Sequence, residues 1–259
     1  MSRWSPVLER GRAFVPFFML GHPSRGQSRD VIEAAVQAGA AGLELGFPFS
    51  DPIADGPVIH AAATTALQGG FRIADAFEQI RDVRQRHPDL PIGLLVYGNL
   101  VRRRGLDTFY GDVSKAGVDA VLVADVPMRE SGPFVEAAST ASVDPVFIAP
   151  PNATESTLRS VATHSRSFVY CVCRAGVTGA GTETRLPPRH VVEGLRQFGA
   201  APAVAGFGLS NPEHVFAAHD AGMAGAIVGS ALIRIIDEDP AGAPGNVEAF
   251  VKACVSQSR

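Results

Sequence analysis

One short pattern occurs three times in this chain: a helix that ends in Ala-Gly is followed within a few residues by an apolar strand. The three copies read QAGAAGLELG (37–46), KAGVDAVLVADVP (115–127) and DAGMAGAIVGS (220–230). Glycine is the usual left-handed residue after a helix end, so each Ala-Gly predicts one. A helix that leads into a buried strand is half of a βαβ unit, and its repetition predicts an α/β fold.

Eight apolar runs are candidate strands, and most of them are continuously apolar, as parallel strands covered on both faces are. They lie at 13–20, 42–46, 92–98, 120–126, 145–150, 168–174, 202–208 and 225–230. Amphipathic stretches lie between them, so a chain of 259 residues is predicted to form a single-domain (β/α)₈ TIM barrel over 1–259. The alternative is an open doubly wound sheet. It fits less well because the first βα turn, LGHPSRG, lacks a G-x-G-x-x-G fingerprint.

Composition excludes several classes of function. The net charge is −3, so the chain lacks the excess of basic residues that is typical of nucleic-acid-binding proteins. We therefore expect no nucleic-acid partner. No apolar run approaches the roughly 20 residues that span a bilayer, so we expect no membrane segment. The N-terminus has no apolar signal-peptide core, and the odd count of 3 cysteines suits a reducing compartment; both favour the cytoplasm.

Residue types near the predicted strand ends narrow the chemistry. The two lysines, Lys115 and Lys252, fall in helical stretches, which disfavours Schiff-base chemistry and pyridoxal-phosphate attachment. The 7 histidines show neither H-x-H nor H-E-x-x-H spacing, so no metal site is predicted. Carboxylates therefore remain as the candidate acid and base.

Two carboxylates stand out where a barrel carries its active site, at the carboxyl ends of the strands. Glu44 lies in the second predicted strand between Leu43 and Leu45, and burial there would raise its pKa into a range useful for proton transfer. Asp55 follows in a proline-rich loop that can fold over the same mouth. The competing interpretation of Glu44 is a buried residue paired with an arginine. For Asp51, a turn or cap residue before Pro52 is an equally good interpretation, and Asp125 before Val126-Pro127 is interpreted as a residue that braces a turn.

Glycines after the last two predicted strands suggest an anion site. GFGLS (206–210) and GSALI (229–233) would let backbone N–H groups approach a phosphate, with Ser230 starting the next helix. The alternative is that both are ordinary βα turns.

Five segments together resemble the α subunit of tryptophan synthase, and the resemblance covers nearly the whole chain. They are LELGFPFSDPIADGP, VLVADVP, IAPPNA, YCVCRAGVTG and GFGLSNPEHV. The resemblance implies a (β/α)₈ barrel that cleaves indole-3-glycerol phosphate to indole and glyceraldehyde 3-phosphate, a carbon–carbon lyase reaction without metal or organic cofactor. It also implies an α₂β₂ complex in which the loop after the second strand docks on a pyridoxal-phosphate β subunit.

The resemblance also implies roles for individual residues. Glu44 and Asp55 match the catalytic carboxylates; we take Glu44 as the proton shuttle and Asp55 as the group that stabilises the charge on the indole nitrogen. Phosphate would lie against Gly179, Gly208, Gly229 and Ser230, and the indole and lid contacts would be Phe17, Leu95, Ile148, Tyr170, Thr178 and Phe207.

Four positions depart from the family pattern: His22, His60, Gly98 and Cys173. They leave room for a stand-alone lyase that releases free indole for specialised metabolism. A regulatory partner without catalysis, and another phosphate-binding barrel such as an isomerase, are the two further alternatives.

Overall fold

The computed structural model describes residues 2–173 and 186–256, and within them eight parallel strands close into a barrel. Each strand pairs with its neighbours in chain order, and β8 closes on β1. The strands are β1 (Ala13–Met19), β2 (Leu43–Gly46), β3 (Ile92–Val96), β4 (Ala120–Val123), β5 (Asp144–Ala149), β6 (Val169–Val172), β7 (Ala203–Gly206) and β8 (Gly225–Val228). The predicted (β/α)₈ barrel is confirmed.

Helices surround the strands on the outside of the barrel. In the described part of the chain they are α1 (Trp4–Glu9), α2 (Arg25–Gln37), α3 (Pro57–Gln68), α4 (Ile73–Arg86), α5 (Gly98–Arg104), α6 (Leu106–Ala116), α7 (Gly132–Thr140), α8 (Glu155–His164), α9 (Arg189–Gln197), α10 (Pro212–Asp220), α11 (Ser230–Glu238) and α12 (Ala243–Ser256), with a 3₁₀ turn at Met128–Glu130. None of these helices has the length and apolar character to cross a membrane.

The three predicted Ala-Gly helix ends have the expected geometry. Gly39, Gly117 and Gly222 follow α2, α6 and α10 with φ values of +98°, +86° and +87°. An L-residue rarely adopts this conformation, so glycine at these positions ends the helix and turns the chain toward the next strand.

Side chains of each strand alternate between two apolar layers. On β1, Val15, Phe17 and Met19 belong to the cluster inside the barrel, whereas Phe14 and Phe18 belong to the cluster between strands and helices. This alternation follows from the two-residue period of a strand. Both layers are mostly apolar, which is why most of the strands are apolar over nearly their whole length.

The amino-terminal end of the barrel is closed by tightly paired groups. Trp4 of α1 is buried there, with its ring centroid 5.1 Å from that of Phe168. Beside it, the Asp119 carboxylate accepts from Arg3 at 2.7 Å and from Arg84 at 2.8 Å. Arg84 also donates to the Gly117 carbonyl. The Asp119 carboxylate also accepts from the Ile92 amide at 2.8 Å, so these bonds tie α4, the start of β3 and the start of β4 together.

Strand β4 is shorter than predicted. The sequence suggested a strand through residue 126, but the strand ends at Val123 and Asp125 accepts a hydrogen bond of 2.6 Å from the Gly98 amide at the start of α5. Asp125 therefore connects two neighbouring βα turns, which agrees with its interpretation as a turn residue.

Candidate active site

Glu44 points into the barrel near its carboxyl-terminal mouth. Its neighbours Leu43 and Leu45 both lie in the outer apolar layer, so the strand period directs Glu44 inward. Glu44 pairs in register with Phe17 of β1 and Gly93 of β3, and only 3% of it is exposed. No ion pair reaches Glu44 from residues 2–173 or 186–256.

Asp55 belongs to the segment that leads from β2 to α3, here called the β2 arm (residues 47–56). The Asp55 amide donates to the Pro52 carbonyl at 3.1 Å, which forms a turn. Gly56 then caps α3, and Pro57 is its first residue, a position where proline fits because no N–H is needed. This turn holds Asp55 directly before a helix N-terminus.

The two carboxylates influence each other and differ in pKa. Burial raises the pKa of Glu44 to about 8, and the charge of Asp55 contributes to the rise. Burial also raises the pKa of Asp55, to about 6, against the opposing influence of the Tyr97 hydroxyl and His60. Near neutral pH, Glu44 is therefore predominantly protonated and Asp55 predominantly ionised, so one proton donor and one anion stand side by side.

The predicted indole-pocket residues come together in the structure where it describes them. Phe17, Leu95 and Tyr170 belong to the apolar cluster inside the barrel, with Ile148 and Phe207 packed against it. The ring centroids of Tyr170 and Phe207 are 5.1 Å apart. An apolar wall of this kind beside Glu44 suits a flat aromatic substrate.

Three glycines at strand ends make room for two of these aromatic rings. A Cβ on Gly46 would lie 2.7 Å from the Phe17 ring, and a Cβ on Gly229 would lie 3.0 Å from the same ring. A Cβ on Gly206 would lie 2.2 Å from the Tyr170 hydroxyl. The rings of Phe17 and Tyr170 therefore occupy space that a larger residue at these positions would need.

The predicted phosphate residues lie together at the ends of neighbouring strands. Gly208 and Gly229 each follow the paired residues Ala205 and Ala226 of β7 and β8, at the same distance along the chain. Helix α11 begins at Ser230, as predicted. Its first backbone N–H groups and its dipole are suited to an anion. Thr178 and Gly179 lie outside the described residues.

The four departures have distinct surroundings. His22 is buried, and its Nε2 lies 2.9 Å from Asp237 at the end of α11. Gly98 leaves room for Val126, because a Cβ there would lie 2.9 Å from the Val126 side chain. Cys173 is buried, as is Cys171. His60 is exposed in the first turn of α3, and its charge acts on Asp55.

Tyr97 is a site residue that sequence reasoning missed. It follows β3 directly, is 1% exposed, and stacks on Phe49 of the β2 arm with ring centroids 5.3 Å apart. Its position immediately after a strand was the available signal, but the run IGLLVYG was interpreted as strand throughout.

Among the described residues, no group of three or more His, Cys, Asp or Glu side chains is placed to hold a metal ion.

A closed (β/α)₈ barrel with Glu44 and Asp55 near its carboxyl-terminal mouth belongs to the class of TIM-barrel proteins, whose enzymes carry their active sites at that face. The family model for the tryptophan synthase alpha chain matches residues 7–257. This chain belongs to that family.

Several known proteins are similar to this chain in sequence and in fold. The chain is 50% identical over 244 residues to the tryptophan synthase alpha chain of Citrobacter koseri, covering 94% of this chain and 91% of the relative. It is 49% identical over 250 residues to that of Escherichia coli, covering 95% and 93%. A Mycobacterium tuberculosis tryptophan synthase structure superposes with a TM-score of 0.89 at 27% identity, covering 100% of this chain and 98% of the other. A structure of the Pyrococcus furiosus α₂β₂ complex gives 0.84 at 30% identity, covering 95% and 98%.

Proposed function

We propose that this chain cleaves indole-3-glycerol phosphate to indole and glyceraldehyde 3-phosphate, as the alpha subunit of a tryptophan synthase. The observation that carries the proposal is the inward position of buried Glu44 near the barrel mouth, where the charge of Asp55 acts on it. Family membership supports the choice of substrate.

The two carboxylates can carry out the proton transfers and the charge stabilisation that the reaction needs. Protonated Glu44 gives its proton to indole C3, which leaves the positive charge on the N1–H side of the ring, where the Asp55 anion stabilises it. The Glu44 carboxylate then takes the proton of the C3′ hydroxyl as the C3–C3′ bond breaks. The bonding electrons return to the ring and neutralise the nitrogen. Glu44 ends protonated again, so no external acid, base or cofactor is consumed.

The remaining predicted residues bind the substrate without entering the chemistry. Gly208 after β7, together with Gly229 and Ser230 at the start of α11, holds the phosphate through backbone N–H groups, and the family resemblance assigns Gly179 the same role. Phe17, Leu95, Ile148, Tyr170 and Phe207 enclose the indole ring, and the family resemblance assigns Thr178 a contact with the bound substrate. An apolar enclosure excludes water and strengthens the interaction of Asp55 with the developing charge.

The partner is a tryptophan synthase β subunit, which the β2 arm docks against. Ile53 at the tip of the arm is 75% exposed, an unusual exposure for a large aliphatic side chain beside a rigid proline turn. The prolines reduce the entropy cost of ordering the arm at an interface. The α₂β₂ complex of Pyrococcus furiosus shows mutual activation, and we propose the same dependence here.

The compartment we propose is the cytoplasm. Cys171, Cys173 and Cys254 are buried free thiols, and unpaired cysteines are usual in a reducing compartment.

The test is indole formation from indole-3-glycerol phosphate by the purified chain, with and without a tryptophan synthase β subunit. We expect low turnover that rises about tenfold or more with the β subunit, within the range of ordinary coupling energies. The profile of kcat/KM against pH should be bell-shaped, with limbs near the pKa values of about 6 and about 8 of the carboxylate pair. Full activity without a β subunit would favour the stand-alone lyase, and no indole under either condition would overturn the proposal.

A further inference from the structure

The Tyr97 hydroxyl is an unpaired polar group in the interior of the protein. Tyr97 is 1% exposed, and its Oη has no hydrogen-bond partner among the described residues. A buried hydroxyl without a partner destabilises the folded state, because the hydrogen bonds it made to water are not replaced. The ring alone would pack equally well on Phe49 if it were a phenylalanine, so packing does not account for the oxygen.

The hydroxyl faces the carboxylate of Asp55. Tyr97 meets the β2 arm at two further points, by stacking its ring on Phe49 with an interplanar angle of 27° and by facing the Ala54 amide. The Asp55 carboxylate is close enough to the hydroxyl for each to shift the pKa of the other, although the two do not form a hydrogen bond of ordinary geometry. A small movement of the arm would complete that bond.

We propose that Tyr97 is a positioning residue for Asp55: with substrate bound, its hydroxyl donates a hydrogen bond to the Asp55 carboxylate and keeps that carboxylate ionised beside indole N1. The inference rests on the proposed function for the identity of the substrate. It assigns to this chain a third functional side chain, directly after β3, in addition to the two carboxylates that follow from the sequence.

The chemistry of the pair favours this direction of donation. Burial raises the pKa of Tyr97 well above its usual range, so the phenol keeps its proton at every pH at which the enzyme works. A hydrogen bond to a carboxylate stabilises the ionised form and lowers its pKa. The phenol therefore offsets part of the desolvation that would otherwise protonate Asp55 and abolish its charge.

The chain provides a matched control in Tyr110 of α6. Tyr110 is 2% exposed, and burial alone raises its pKa, without an acidic neighbour. Replacing either tyrosine with phenylalanine removes one hydroxyl and keeps the ring. Only Tyr97→Phe changes the surroundings of Asp55.

The experiment measures the ionisation of Asp55 directly and through catalysis. The carboxyl ¹³C signal of Asp55 in the full chain, assigned by its loss in Asp55→Asn, is titrated in the wild type, Tyr97→Phe and Tyr110→Phe. The kcat/KM profile against pH is recorded for the same proteins with a β subunit present. In Tyr97→Phe we expect the Asp55 titration and the acid limb to rise together by about one pH unit, the size expected for one charge-assisted hydrogen bond. Tyr110→Phe should leave both unchanged.

Other outcomes separate the positioning role of Tyr97 from the proposed function. An active wild type whose Asp55 titration is the same in Tyr97→Phe overturns the positioning role, as does an equal shift in Tyr110→Phe. A shifted titration in a chain that does not cleave the substrate supports the positioning role and overturns the proposed function instead. If Tyr97→Phe does not fold, Phe49→Leu decides: it keeps the hydroxyl but removes the stacked ring, so the titration should move in the same direction by less, and no movement overturns the proposal.

Discussion

Two buried carboxylates at opposite ends of the barrel have opposite surroundings. At the amino-terminal end, the Asp119 side chain is 6% exposed, lies within 2.8 Å of both Arg3 and Arg84, and also accepts from the Ile92 amide. At the carboxyl-terminal end, Glu44 is equally buried but has no cation partner in the described chain. The first carboxylate is satisfied and contributes to closing the barrel, whereas the second is left with a raised pKa.

The comparison shows how one fold separates stability from chemistry. A buried charge is tolerated when it is paired and hydrogen-bonded, because the partners replace the lost hydration. An unpaired buried carboxyl instead keeps its proton until higher pH, which makes it an acid near neutrality. Substitutions at the two ends should therefore separate loss of stability from loss of activity.

The largest effect is expected for Glu44→Gln. The amide has nearly the same shape but cannot shuttle a proton, so kcat/KM should fall by about 10³-fold, within the range of general acid–base catalysis. The same substitution should raise the free energy of unfolding, by an amount that depends on pH. The folded state raises the pKa of Glu44 from 4.5 to about 8, so this residue favours folding below pH 4.5 and loses that contribution as pH rises toward 8.

Urea unfolding at several pH values checks the stability half of this prediction. Relative to the wild type, Glu44→Gln should gain a few kcal/mol between pH 5 and pH 8, because each pKa unit is worth about 1.4 kcal/mol. Glu155→Gln is the control, since the Glu155 side chain is 75% exposed. A Glu44→Gln enzyme with near-normal turnover would remove the proton shuttle from the mechanism.

A smaller effect is expected for Arg84→Met, which should lower stability and leave turnover unchanged. The substitution leaves Asp119 with one cation fewer and the Gly117 carbonyl without its arginine donors, so the free energy of unfolding should fall by about 3 kcal/mol. Turnover of the folded fraction should stay unchanged. Arg86→Met in the same helix is the control, because Arg86 pairs at the surface with Asp82, and it should cost less than about 1 kcal/mol. A selective loss of kcat in Arg84→Met would mean that the two ends of the barrel are coupled.

The smallest effect is expected for His60→Gln. Protonated His60 favours the ionised form of Asp55, but His60 is exposed and water screens its charge. Removing it should raise the acid limb of the kcat/KM profile by a few tenths of a pH unit. His190→Gln on α9 is the control. An acid limb that does not move would show that the Asp55 environment is set by burial and Tyr97 alone.

Features that depend on residues close together in the chain were predicted from the sequence. The Ala-Gly pairs at 38–39, 116–117 and 221–222 ended helices as expected, because a left-handed glycine is a property of one residue. Glu44 and Asp55 became candidates because a carboxylate inside an apolar run, followed by a proline-rich loop, is unusual, and because the predicted barrel and the family resemblance give both a place at the active site.

Features that depend on partners distant in the chain were not predicted. Arg84 and Asp119 are 35 residues apart, and nothing near either one indicates that α4 returns to the start of β4. Tyr97 was missed for the same reason, since its neighbours Phe49 and Asp55 belong to the preceding βα unit. The end of β4 depended on Asp125 bonding to Gly98, a contact between two loops.

The glycines around the pocket have a consequence for how this enzyme family can change. Gly46, Gly206 and Gly229 each face an aromatic ring that fills the volume of the missing side chain. We expect a substitution at any of them to be harmful alone, as we expect of a smaller residue in place of Phe17 or Tyr170, and we expect one change of each kind to restore the packing. New substrate preferences in this barrel should therefore arise through paired mutations, and lineages that alter one member of a pair should carry a compensating change in the other.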